Sequence, residues 1–246
     1  MEIKEEERID DLEINGLKII QNKKWFCFGV DSVLLSDFAK EIHRGSSILD
    51  LGAGNGVLGL LLSAKVPNSK ITGVEVQEKV TEMARRSVQL NNLQDRIEFI
   101  NANIKDVGKI QEYDAIVTNP PYKEAGTGIQ NEVGTKQIAR HEILATLEDF
   151  IKTASINLKD KGSMYMVNRP ERLADIFEYS RKYKLEPKEL RMVYSKPYSN
   201  PVLILVKATK YANRYLKVKE PLYIYDENGS YSKEILRIYE KDKENT

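Results

Sequence analysis

Residues 48–62 read ILDLGAGNGVLGLLL, and the fold turns on them. Ser47–Leu51 predicts a short buried strand. Glycines follow at 52, 54 and 56, and they let a backbone turn sharply and approach a ligand closely. Residues 56–65 predict an apolar helix whose first turn leaves N–H groups free. The same alternation continues outward. Lys70–Glu75 predicts a strand, 78–91 an amphipathic helix, 96–101 and Tyr113–Thr118 two further strands. Residues 147–158 predict a helix closed by Lys161-Gly162, 163–167 a strand, and 172–182 a helix just after Pro170. Residues 190–195 and 202–208 predict the last core strands. Strands alternating with helices imply a parallel sheet covered on both faces. The link 196–201 is too short for a parallel crossover, so the last two strands should pair antiparallel.

Ahead of the glycine turn, residues 17–28 (LKIIQNKKWFCF) predict a hairpin with its turn near Asn22-Lys23. Residues 33–42 predict a helix that Asp31 or Ser32 could cap. The polar, Gly-bearing composition of residues 123–140 predicts a long loop, and such loops are usually functional or disordered. The expected organisation is a hairpin and helix in 1–44, a catalytic domain in 45–210 and a C-terminal extension in 211–246 packed on the same domain. The 246 residues suffice for this, and 41% hydrophobic with 30% charged content is that of a globular chain.

Cys27 is the single cysteine, which excludes an internal disulfide and a Cys-rich zinc site. Beside Phe26 and Phe28 it reads as a core residue. The acidic start MEIKEEERIDD lacks the apolar core of a signal peptide. No run approaches the ~18 apolar residues of a membrane span, so a cytoplasmic location is expected. Net charge is +1 but unevenly placed: residues 1–13 carry seven acids and two bases, residues 181–219 eleven bases and two acids. A basic segment can face phosphates or can simply be a solvated face.

The glycine turn suits two ligand classes. A dinucleotide would set its pyrophosphate on the helix N-terminus. S-adenosylmethionine (AdoMet) has no phosphate. A literal GxGxxG runs over 54–59, but the first glycine of the dinucleotide fingerprint should directly follow the strand. That glycine is Gly52, and Val57 then stands at the third position. Counted from the strand, the pattern is D-x-G-x-G-x-G over 50–56, and it resembles motif I of class I AdoMet-dependent methyltransferases. Glu75 ends the second strand, where a carboxylate accepts both hydroxyls of a ribose in either ligand.

TNPPYKE (118–124) follows the apolar run 113–117. Prolines stop a strand because they cannot donate to a ladder. They also leave rigid carbonyls without an internal partner. The Asn119 side-chain oxygen and the Pro120 carbonyl then make two acceptors, which match the two donors of a planar –NH₂. Pro121 stiffens the turn, and Tyr122 can stack on a flat group, worth about 1–3 kcal/mol for a nucleobase. This strand should neighbour the one bearing the glycine turn and open onto its crevice. The chemistry requires no metal, because a sulfonium is its own leaving group. Asn-Pro-Pro-Tyr resembles motif IV of amino methyltransferases, which act on adenine N6 or on glutamine N5 of release factors. Related enzymes methylating guanine N2 usually carry Phe at the last position.

Nearly the whole chain resembles the bacterial tRNA adenine-N6 methyltransferases that modify adenosine 37 of valine tRNA. The resemblance rests on FGVDSVLLSDFA (28–39), NPPY, IARHE (138–142) and NRPERL (168–173). It implies a Rossmann-like, seven-stranded, mostly parallel sheet with an antiparallel last strand, helices on both faces and a small N-terminal hairpin. It implies Phe28 and Asp31 over the methionine end of AdoMet. Asp50, Gly52, Ala53, Gly54, Gly56, Glu75, Val76 and Asn119 would line the rest of that site. The family often has an acid after the third strand, near the AdoMet adenine; here Asn103-Ile104 stands there, with Asp106 the alternative. Lys123, Arg140, His141, Arg169, Arg172, Lys210 and Arg214 would meet the anticodon loop, and Tyr194 and Tyr198 could touch RNA. Arg140 and His141 could instead cap the following helix, and His141 could serve as a base. Release-factor methyltransferases usually carry a helical domain that has no room ahead of Ile48. Three other readings stay open: protein glutamine methylation, a non-catalytic AdoMet- or RNA-binding module, and a nicotinamide oxidoreductase that Val57 and NPPY disfavour. A monomer or weak dimer is expected.

Overall fold

The computed structural model describes residues 3–25, 28–122 and 145–240. Its main sheet is built from β3 (Ser47–Leu51), β4 (Lys70–Glu75), β5 (Ile97–Asn101), β6 (Tyr113–Thr118), β7 (Leu158–Asn168), β8 (Leu185–Tyr194) and β9 (Pro201–Lys210). In space they run β8-β9-β7-β6-β3-β4-β5. All neighbours from β7 to β5 pair parallel, and β9 is antiparallel to both β7 and β8. These are the seven strands and the antiparallel last strand expected from sequence. Two two-residue strands, β10 (Lys217–Val218) and β11 (Leu222–Tyr223), join the outer edge of β8 and bring the sheet to nine.

Both faces of the sheet are covered, which explains why its strands are apolar runs. Along β7, Tyr165 and Val167 face one core while Met164 and Met166 face the other. The first core holds α1 (Val30–Phe38), α2 (Val57–Lys65) and residues of α3 (Glu78–Leu90). The second holds α4 (Leu147–Asn157) and part of α5 (Leu173–Lys182). From the C-terminal segment, Leu222, Ile224, Ile235 and Ile238 join the first core, the last two from α6 (Lys233–Ile238). No helix among the described residues is long and apolar enough to cross a membrane.

The hairpin differs from expectation. β2 (Lys18–Asn22) pairs with an upstream strand, β1 (Glu7–Asp11), and among the described residues not with any after Asn22. The acids of ERIDD hid this strand. Glu7 is buried because Arg86 of α3 grips it through two bonds of 2.6 and 2.7 Å, and a partner seventy-nine residues away is invisible to local patterning. Helix α1 also begins three residues early, at Val30. Strand β7 starts directly after α4, at Leu158, so Lys161-Gly162 lies inside it.

The glycine turn is the strictest local feature. Gly52, Gly54 and Gly56 all have positive φ, and Gly56 (φ 83) is the N-cap of α2. A Cβ on Gly56 would sit 2.7 Å from the Phe99 ring. Gly56→Ala is therefore expected to destabilise the fold by about 2 kcal/mol or more, from left-handed strain plus overpacking. Urea unfolding checks this.

Candidate active site

The C-terminal ends of β3, β4 and β6 converge. Gly52 and Ala53 N–H both bond the Val74 carbonyl at 2.9 Å, which lays the glycine turn across β4. The Gly54 N–H donates to Glu75 Oε2 at 3.0 Å, and the Gln77 N–H to Glu75 Oε1 at 2.9 Å. Glu75 is thus fixed at the lip of the turn, each oxygen keeping lone pairs for further donors. Val76 lies beside it, and its carbonyl accepts from the Asn101 amide at 3.0 Å.

Asp50 is the unusual residue. It is 1% exposed, and among the described residues neither carboxylate oxygen has a hydrogen-bond partner. Burial pushes its carboxyl up to about 8, and the charge of Glu75 adds to the effect. A buried, orphaned carboxylate wants a cationic donor. The α-ammonium of AdoMet is such a donor and the ribose hydroxyls suit Glu75, so the residues present fit that cofactor. Beyond β5, Asn103 is half-buried and its Oδ1 accepts from the Lys105 N–H at 3.0 Å. One lone pair remains for an adenine amine. Ile104 is buried behind it, whereas Asp106 is exposed.

On the other side of the glycine turn, Asn119 and Pro121 are half-buried and Pro120 is buried. Tyr122 Oη lies 2.8 Å from Asn119 Oδ1 and 2.5 Å from Asp31 Oδ2. Burial first, then the Asp31 carboxylate, raises the phenol far above its ordinary value. Its one proton can serve only one of the two acceptors. Asp31 therefore stands at the junction between the α1 segment and NPPY. The Arg169 guanidinium lies 5.0 Å from the centre of the Tyr122 ring, and its Nη1 donates to the Val202 carbonyl at 3.0 Å. Phe28 and Tyr122 pack against the same core.

Sequence reasoning missed Gln21. It is 2% exposed, and its Oε1 accepts from the Phe28 N–H at 2.9 Å and the Asn55 amide at 3.3 Å. Its own amide donates to Asp10. One side chain thus joins the hairpin, the Phe28 segment and the glycine turn. The available signal was an amide directly after the apolar pair Ile19-Ile20 in a predicted strand.

The basic segment requires correction. β9 runs antiparallel to β7, with Ile204 beside Asn168 and Thr209 beside Ser163. Ten residues of strand span about 30 Å, so Lys210 and Arg214 lie at the end of the sheet opposite NPPY. Lys210 Nζ donates to the carbonyls of Ser155 and Leu158 at 2.8 Å each and closes α4. Arg214 is exposed at that far end. Other cations are held by acids, some from outside the window: Lys182 by Glu148, Arg191 by Glu234, Arg181 by Glu186, and Lys207 and Lys219 by Glu189. Arg172 pairs with Asp175 at 2.7 Å. The expected result for Lys210→Met is about 1 kcal/mol less stability from the lost carbonyl bonds, with RNA affinity and its salt slope unchanged. Lys123, Arg140 and His141 lie outside the described residues, as does Cys27. Among the described residues no group of three His, Cys, Asp or Glu side chains converges as a metal site would.

Sheet order, glycine turn and NPPY together define a class I methyltransferase. Residues 28–182 match the family model described as "Methyltransferase small domain", and the chain belongs to that family. Among curated relatives, the tRNA1(Val) (adenine(37)-N6)-methyltransferase of Porphyromonas gingivalis is 30% identical, the match covering 86% of each chain. The protein of that name from Bacteroides thetaiotaomicron is 29% identical over 86% of this chain and 89% of its own. Among solved structures, a predicted O-methyltransferase from Agrobacterium tumefaciens superposes with a TM-score of 0.69 at 22% identity, over 85% of this chain and 95% of that one. A 16S rRNA N2 methyltransferase of Thermus thermophilus, in complex with AdoMet and guanosine, gives 0.59 at 19% identity, over 85% of this chain and 52% of that one. These last two show the fold alone.

Proposed function

We propose that the chain transfers the methyl group of AdoMet to the exocyclic N6 of adenosine 37 in the anticodon loop of a valine tRNA. The observation that carries this is the NPPY turn set beside the Asp50–Glu75 cleft, in a chain whose relatives bear that activity in their names. Asp50 pairs with the cofactor's ammonium, Glu75 accepts from its ribose, and Asn103 accepts from its adenine amine. Gly52, Ala53, Gly54 and Gly56 keep the turn free of bulk around it. When bound, AdoMet supplies an electrophilic methyl group on a sulfonium that leaves as a neutral thioether.

The target base is flipped out of its stack, as any enzyme acting on a base edge requires. Asn119 Oδ1 and the Pro120 carbonyl accept the two amine hydrogens and aim the nitrogen lone pair at the methyl. Those hydrogens grow more acidic as nitrogen becomes tetrahedral. The two bonds therefore strengthen toward the transition state more than they hold the ground state. Tyr122 stacks on the base, with Arg169 behind it. To do so its hydroxyl releases Asn119 Oδ1, which it contacts in the free protein. The methylated nitrogen loses its proton readily, so no strong base is needed. Given a tRNA substrate, we further propose a cytoplasmic location and action as a monomer or weak dimer.

The test offers labelled AdoMet with unmodified bacterial tRNA and, separately, with a release factor. Label in N6-methyladenosine is the expected result. Label confined to the release factor would replace the nucleobase by a protein amide.

A further inference from the structure

The turn between β8 and β9, residues 195–200 (SKPYSN), lies at the NPPY end of the sheet. β8 runs parallel to β7, because both are antiparallel to β9. Its last residue therefore ends on the same side as Asn168 and Arg169. Arg169 spans the gap directly, with its guanidinium on Tyr122 and its Nη1 on the Val202 carbonyl, two residues past the turn. At the tip stands Tyr198, 100% exposed, with a left-handed φ of 63. Among the described residues nothing covers its ring and repays leaving an aromatic surface in water. The Lys196 carbonyl accepts the Ser199 hydroxyl at 2.7 Å, which closes the turn and leaves the exposed Lys196 ammonium at its base. No acid occurs between Ser195 and Val202.

A bare aromatic ring with a cation beside it, on a rigid turn free of acids, fits an unpaired nucleotide: ring for base, ammonium for phosphate. The nearby tail tyrosines do not fit as well. Tyr225, Tyr231 and Tyr239 stack on one another, and Asp226 and Glu227 follow directly after Tyr225. We infer that Tyr198 and Lys196 form a landing platform for an unpaired anticodon-loop nucleotide adjoining the flipped base, with Arg169 linking that platform to Tyr122. This rests on the RNA reading given above.

The experiment measures tRNA affinity over a range of salt, and methyl transfer at limiting and saturating tRNA, for wild type, Tyr198→Ala, Tyr198→Phe and Lys196→Ala. Tyr198→Ala is expected to weaken binding about 30-fold, the middle of the range for loss of one base–ring stack. KM should rise by the same factor, with kcat and the salt slope unchanged. Tyr198→Phe should restore binding, which a merely structural role of the hydroxyl would not allow. Lys196→Ala should lower the salt slope by about one. Because the Tyr198 side chain is free of the fold, all variants should melt at the wild-type temperature. Wild-type affinity and salt slope in both Tyr198→Ala and Lys196→Ala, alongside active wild-type enzyme, would overturn the platform alone. Wild-type protein that neither binds nor methylates tRNA would overturn the function and the platform together.

Discussion

Asn119→Ala is expected to lower kcat for N6 methylation by about 10²–10³-fold, the usual cost of removing one preorganised partner of the transition state. The substitution deletes one of the two acceptors that gain as the amine nitrogen pyramidalises. Pro120 keeps its carbonyl, so a residual rate should persist. The fold should survive, because Tyr122 Oη retains Asp31 as an acceptor when Asn119 Oδ1 is gone. Affinity for S-adenosylhomocysteine, read by calorimetry, should fall far less than kcat. A parallel loss of both would make Asn119 a cofactor ligand first and a transition-state partner second.

Asp50→Asn should act in two opposite directions. The native carboxyl holds its proton up to about 8, against an ordinary 3.8. Between those values the folded protein binds more protons than the unfolded chain, so its stability falls as pH rises, and it levels off above 8. An amide cannot ionise and removes that slope. Asp50→Asn should thus match wild type near pH 4 and melt at least ~5 °C higher at pH 9. Cofactor affinity should move the other way. Loss of the buried carboxylate that pairs with the ammonium should weaken binding about 30-fold or more. In wild type near pH 7, cofactor binding should expel a proton from Asp50. Titrations in two buffers of different ionisation heat read that proton directly, and in Asp50→Asn it should be absent.

The parts of this site that were legible in sequence are those whose physics is local. Three glycines must turn left-handed between Leu51 and Val57, and two prolines must end β6. Both signals sit in a few consecutive residues, and the alternation around them implies the parallel sheet. What escaped is non-local. Glu7 reads as one acid in a charged run until Arg86 arrives from α3. Gln21 looks like a strand residue until Phe28 and Asn55 meet its amide. Lys210 belongs to a basic window by sequence, but the antiparallel run of β9 carries it to the wrong end of the sheet. Charge counting along a chain ignores strand direction, and strand direction decided which cations could lie near the NPPY turn. Arg169, at the C-terminal end of β7, is on the correct side, and its contact with Tyr122 depends on packing that no spacing rule encodes.

The most direct measurement uses two transcripts of the valine tRNA, one with adenosine at position 37 and one with guanosine, each incubated with this protein and labelled AdoMet and then digested to nucleosides. The first should yield N6-methyladenosine and the second no label. Equal labelling of both transcripts, or none in either while cofactor binding persists, would contradict the proposed reaction.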